Sequence, residues 1–185
     1  MAPVNNVSLH NDSNSGAAVM LNRNALWGYV LAILVIALDL WTKSIASSQL
    51  MLGVPVNILP VFDFTLQHNP GAAFSFLADA SGWQRWLFTA ISALVGIALV
   101  VWIARLQRHE TLIAFGLSMI LGGALGNLWD RVTLGYVVDF ISVHYADYYF
   151  PAFNIADSAI TVGAGLMILD MLLSARRRDS DASGS

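Results

Sequence analysis

The sequence predicts an all-α membrane protein with a small amount of β-structure: four transmembrane helices plus a few short strands gathered on one side. Three observations carry this. Of 185 residues, 57% are hydrophobic and only 11% are charged, with a mean hydropathy of +0.64, whereas an ordinary soluble domain is about 25% charged. Nine basic and twelve acidic side chains cannot cover a soluble fold of this size, so the excess apolar surface faces lipid. Four apolar stretches are each long enough, at about 1.5 Å per residue, to cross about 30 Å of hydrocarbon. The two longest interruptions between them carry β-branched and aromatic residues with prolines and read as strand, not helix.

Residues 1–22 are polar, rich in Asn and Ser, and have no basic n-region before an apolar run; they read as a disordered cytoplasmic tail, not a cleaved signal peptide. The first span runs from about Leu26 to Ser47. A segment from Ser48 to Arg85 follows, too long for a plain turn, and within it VPVNILPVFDFTLQH predicts short strands. The second span covers about Trp86 to Ala104 and the third about Leu112 to Trp129. A second non-helical stretch, Arg131 to Phe153, contains the strand-like VVDFISV, and the fourth span runs from about Ile155 to Ser174. The membrane domain is thus 23–175, with strands within about 48–85, and 176–185 form a second cytoplasmic tail.

Orientation follows the bias of Lys and Arg toward the cytoplasm. With both termini inside, Arg23, Arg105, Arg108 and Arg176 to Arg178 are cytoplasmic, and Lys43, Arg85 and Arg131 lie outside. The two long loops then share the outer face, and Trp27, Trp83, Trp86, Trp102 and Trp129 fall near span ends, where interfacial anchors belong. A net charge of −3 offers no electrostatic footprint for nucleic acid. The absence of cysteine removes thiol nucleophiles and thiolate metal sites. The four histidines, His10, His68, His109 and His144, are scattered, so no metal site is expected.

Ionisable residues in or beside a span each need a reason, since a charge at the bilayer centre costs at least about 2.5–3.5 kcal/mol. Asp39 and Lys43 are four apart with the acid first, the favourable order for a helical ion pair. Gly122 and Gly126 make a small-xxx-small face for close helix packing. Asn127, Asp130 and Arg131 follow, and adjacency makes Asp130 and Arg131 a local ion pair. Asp139 lies among apolar residues in YVVDF; Asp157 lies three residues after Asn154, in the pattern of a capping box at the start of the fourth helix. Taken singly, Asp157 reads as helix-start chemistry and Asp139 as a strand-edge acid. Together they fall on one face at membrane depth. Two close carboxylates cannot both ionise, so they share a proton and can serve as general base toward water and general acid toward a leaving amine.

No HExxH, GxSxG, Walker A or GxGD motif is present. Ser47, four residues after Lys43, permits a Ser–Lys dyad, one small polar residue among many at a helix end.

DLWTK at 39–43, NPGAAF at 69–74, GGALGNLWDR at 122–131, VVDF at 137–140 and FNIADSAI at 153–160 occur in the order found in bacterial lipoprotein signal peptidase, signal peptidase II. The chain resembles that family over about residues 25 to 175. Leu40 departs from the glutamine common at its position, and the tail before Leu21 is longer than the family needs. The resemblance implies an aspartyl endopeptidase of the bacterial inner membrane, active at the outer face. It would cut the signal peptide from diacylglyceryl-modified prolipoproteins just before the lipidated cysteine, with no metal or cofactor. It implies Asp139 and Asp157 as the catalytic pair. Asn69, Gly71, Asn127, Asp130, Arg131 and Asn154 would shape the site or hold substrate, and Asp39 and Lys43 would form a structural pair. It further implies an extracytoplasmic β-cradle over about Val54 to Phe76, with a mobile loop over the cleft. The partners would be lipidated signal peptides and membrane lipid, and the chain would act as a monomer.

Two other classes compete. A proton-coupled transporter would use the acids as a relay, but they gather near one face and none lies across the second span. A non-catalytic assembly factor would need Asp139 and Asp157 for folding, not for hydrolysis.

Overall fold

A computed structural model describes residues 23–71 and 83–183. The tail expected over 1–22 and the loop with the second half of NPGAAF lie outside the described residues. Each expected span is a helix, longer than its apolar stretch: α1 Arg23–Gln49, α2 Trp83–Arg105, α3 Thr111–Thr133 and α4 Ile155–Ser183. All four are long and apolar enough to cross a membrane. Helix α2 takes in Trp83 and Arg85, and α3 takes in Arg131, three residues expected outside the helices. Polar backbone at a membrane interface is most economically satisfied by continuing the helix. For the same reason α4 continues past the expected end of the membrane domain, through Arg176–Arg178, into the segment expected as a cytoplasmic tail. The strands are β1 Val56–Leu59, β2 Phe62–Asn69, β3 Val137–Tyr145 and β4 Tyr148–Tyr149. They form one antiparallel sheet in that order.

Helix α3 is the centre of the bundle and packs on α1, α2 and α4. Its glycines make this possible. A Cβ at Gly122 would meet Val35 and Ala32 of α1 at 2.6–2.8 Å, and one at Gly116 would meet the Gly163 carbonyl of α4 at 2.9 Å. Gly122 and Gly126 therefore face α1 as a pair, as the small-residue spacing predicts, while Gly116 and Gly123 serve α4. Ala32, Leu99, Ile103, Leu117 and Leu121 fill the bundle's core. Trp27, Trp83, Trp86, Trp102 and Trp129 are all exposed, consistent with anchoring at membrane interfaces.

The sheet sits on the end of the bundle where α1 and α3 finish and α4 begins. Leu66, Val138 and Phe140 pack against Ala46 of α1 in a second small core. The chain passes from α3 to β3 through Gly135, whose φ of +91° is a left-handed conformation that glycine adopts freely. Both Leu134 and Gly135 donate their N–H to the Asp130 carbonyl, at 2.7 and 3.2 Å. Arg85 of α2 closes the same helix end, donating to the carbonyls of Arg131 at 2.8 Å and Val132 at 2.9 Å. Those carbonyls are among the four that a helix end leaves unpaired.

Candidate active site

Asp139 and Asp157 come from different elements, and asparagines bring them into one network. Strand alternation sends Val138 and Phe140 toward the small core and Asp139 to the opposite side, where it is 2% exposed. It is therefore no exposed edge acid. Its Oδ1 accepts from Asn154 Nδ2 at 2.7 Å and its Oδ2 from Asn69 Nδ2 at 3.0 Å. Asp157 is half-buried in the first turn of α4. The capping box read from the sequence is formed reciprocally: Asp157 N–H donates to Asn154 Oδ1 at 2.9 Å, and Asn154 N–H donates to Asp157 Oδ2 at 3.3 Å. Asn154, fully buried, thus touches both carboxylates.

Each asparagine is itself oriented. Asn69 Oδ1 accepts the Gly71 N–H at 2.9 Å, which turns its NH₂ toward Asp139. Gly71 has a φ of +107°, and a Cβ there would come within 2.6 Å of the Phe88 ring; no other residue fits both demands. Asn127 donates its Nδ2 to Asp157 Oδ1 at 2.7 Å and accepts through Oδ1 from Asn154 at 3.1 Å and from Lys43 Nζ at 2.9 Å.

Lys43 carries a second, adjoining cluster. The expected helical pair with Asp39 is present at 2.7 Å, and Lys43 also binds Asp130 at 2.9 Å. Its three N–H donors are shared among Asp39, Asp130 and Asn127, which leaves it unsuited to activate the exposed Ser47. Asp39 Oδ1 accepts the Ala156 N–H at 2.8 Å, giving the start of α4 a cap from another helix. A Cβ at Gly126 would lie 2.6 Å from Asp39 Oδ2, so this glycine makes room for the acid.

The expected pairing of Asp130 with Arg131 is not formed. Consecutive helical side chains diverge by about 100°: Asp130 turns to Lys43 and also accepts the Val138 N–H at 3.1 Å. Arg131 turns the other way, its guanidinium 5.6 Å from the Phe88 ring centre and its Nη1 3.4 Å from the Asn127 carbonyl. Its Nε is buried without a hydrogen-bond partner among the described residues. Sequence reading missed Phe88, which backs both Gly71 and Arg131; only a contact map reveals an apolar residue in that role.

Burial is the main force on Asp139. It pushes the carboxyl up from 3.8 to about 6, Asp157's negative charge adds to the rise, and the amides of Asn69 and Asn154 oppose it. The arrangement places two carboxyl groups in one network, bridged by asparagines, with neutral donors on each. Among the described residues no group of three or more His, Asp or Glu side chains could hold a metal ion.

Residues 31–173 match the family described as Signal peptidase (SPase) II. A lipoprotein signal peptidase of Acinetobacter baumannii is 53% identical over 161 residues, which cover 86% of this chain and 91% of that protein. One from Ectopseudomonas mendocina is 56% identical over 147 residues, 78% of this chain and 87% of that one. A solved bacterial membrane enzyme, determined by the in meso method at 2.3 Å resolution, superposes with a TM-score of 0.71 at 34% identity, covering 80% of this chain and 89% of the other. In sequence and in fold alike, this chain belongs to the signal peptidase II family of membrane peptidases.

Proposed function

We propose that this membrane peptidase removes signal peptides from diacylglyceryl-modified prolipoproteins, cutting just before the lipidated cysteine, with Asp139 and Asp157 as the catalytic pair. The observation that carries this reading is the shared asparagine: Asn154 touches both carboxylates, at 2.7 Å on Asp139 and 3.3 Å on Asp157.

The roles divide by environment. Asp157 sits at the positive end of α4, which suits a negative charge, and acts as base. Asp139, already raised to about 6, holds the proton, and substrate covering the site removes more water and pushes it the same way. Asp157 takes a proton from the attacking water as its oxygen bonds to the scissile carbonyl carbon, while Asp139 gives its proton to the carbonyl oxygen. As the carbon–nitrogen bond breaks, Asp157 passes its proton to the leaving amine and Asp139 recovers one from the collapsing diol. The unpaired Nε of Arg131 serves as a donor to a substrate carbonyl.

A lipid-anchored signal peptide is a membrane helix, so its scissile bond is met at the bilayer surface. The sheet bearing Asp139 gives an unwound substrate segment backbone to pair with. The Lys and Arg bias supports both termini in the cytoplasm and the site at the outer face, and the chain is read as a monomer that needs no cofactor. Incubating the purified protein with a synthetic lipidated prolipoprotein tests the reading. Wild type should release the signal peptide and Asp139→Asn should not; equal turnover by the two would refute the assignment.

A further inference from the structure

The opposite end of the bundle carries a second cavity with its own chemistry. Close approaches of Gly28 to Ser118, Gly122 to Val35 and Gly126 to Asp39 advance together along α1 and α3. These helices are therefore parallel and begin at the same end. Between their first halves lies a groove of about 540 Å³. Gly28 and Ala114 form its floor, where a Cβ at Gly28 would come 2.6 Å from Ser118 Oγ. Its walls include Trp27, 64% exposed, and Leu34, 60% exposed, so the groove opens sideways to lipid.

Its chemistry changes at one end, where Arg23 and Arg108 line the mouth. Asn24 fixes the loop beneath them, its Nδ2 donating to the Arg108 carbonyl at 2.9 Å and to the Gln107 carbonyl at 3.3 Å. Glu110, the nearest acid in sequence, points its carboxylate at the Gln107 N–H at 2.6 Å, and no ion pair to Arg23 or Arg108 is formed among the described residues. On the other flank of α3, a groove of about 630 Å³ against α4 has Glu110 and Asp170 in its lining instead. Positive charge is thus concentrated at one groove of the two.

From Arg23 to Leu34 the groove follows roughly 16 Å of helix, about half of a 30 Å hydrocarbon layer. It therefore has the depth of one leaflet. A molecule with an apolar chain one leaflet long and an anionic group at its end matches both features. We propose that this groove binds an anionic phospholipid, with the phosphate between Arg23 and Arg108 and one acyl chain along Leu31, Leu34 and Phe115. A zwitterionic lipid offers the same chain and phosphate, but brings a cation to the two guanidinium groups.

Native mass spectrometry of the detergent-purified full chain, with phosphatidylglycerol and phosphatidylcholine of matched acyl length, tests this. Wild type should retain phosphatidylglycerol about tenfold better or more, as expected for two juxtamembrane arginines. Arg23→Gln with Arg108→Gln should abolish that preference, whereas Arg176→Gln with Arg177→Gln should preserve it. Leu34→Trp, which fills the groove, should weaken retention of both lipids, with unfolding temperature and peptidase activity unchanged. Equal retention of the two lipids by wild type would overturn the proposal. So would equal loss in both arginine pairs, which would mean a diffuse basic field. Lipid binding only after deletion of residues 2–22 would overturn it by making that segment the occupant. A dimer that Leu34→Trp dissolves would overturn it by making a second copy the occupant.

Discussion

Asp130 and Asp139 are nine residues apart and almost equally buried, 3% and 2% exposed, yet the protein treats them in opposite ways. Asp130 meets a cation, Lys43, and a backbone N–H, and Lys43 meets a second acid, Asp39. Asp139 is hydrogen-bonded to neutral carboxamides, those of Asn69 and Asn154. It lies near the like charge of Asp157 and feels the charges of Lys43 and Arg131, without an ion pair to either among the described residues. Tied to a cation and to the Val138 N–H, Asp130 is built into the scaffold. Asp139, bonded to neutral donors, is pushed up to about 6 by burial, with Asp157's charge adding to the rise. Asn127 joins the two regions, accepting from Lys43 and donating to Asp157. The charged cluster can therefore orient the pair without sharing its proton.

The largest effect should come from breaking the neutral side. Asp157→Asn should lower cleavage of a lipidated substrate by about 10²–10⁴-fold, the range for losing a general acid–base group, while circular dichroism and unfolding temperature in detergent stay near wild type. Breaking the charged side should do the reverse. Lys43→Met leaves Asp39 and Asp130 buried without their cation, which costs about 3–5 kcal/mol for a buried pair. Thermal unfolding should report that loss, and neutralising both acids in the same variant should recover much of it.

A smaller effect sharpens the comparison through pH. Asp139 rises from 3.8 to about 6 on folding, so between those values the folded protein binds more protons than the unfolded one. Its contribution is fully present below 3.8 and lost as pH climbs through about 6. Two units correspond to about 3 kcal/mol. Wild-type unfolding temperature should fall relative to Asp139→Asn as pH goes from 4 to 7; parallel profiles would mean that Asp139 is not raised. At the small end, Ser47→Ala should leave activity and stability within experimental error, since the Lys43 donors are already taken. Loss of activity in that variant would revive a Ser–Lys dyad.

What the sequence made legible was local. The spans follow from apolar length and the strands from β-branched runs. The Asp39–Lys43 pair and the Asn154–Asp157 box are contacts between residues three or four apart, the spacing at which helical geometry alone brings side chains together. The links that couple the clusters join distant residues, such as Lys43 and Asn127, separated by 84 positions, and no periodicity encodes them. Adjacency was misleading for Asp130 and Arg131, because neighbours on a helix face different partners. The clamp of Arg85 on the end of α3 was hidden because Arg85 was read as loop. Its role depends on α2 beginning at Trp83.

The contrast between the two buried acids is tested most directly by single-turnover cleavage of a saturating synthetic lipidated prolipoprotein by purified Asp130→Asn and Asp139→Asn, side by side. With Asp130 as scaffold and Asp139 as proton holder, Asp130→Asn should be less stable or bind more weakly, yet still cut measurably, and Asp139→Asn should fold, bind and not cut. A folded, substrate-binding Asp130→Asn that fails to cut, beside an Asp139→Asn that does, would make Asp130 the partner of Asp157 and contradict the account.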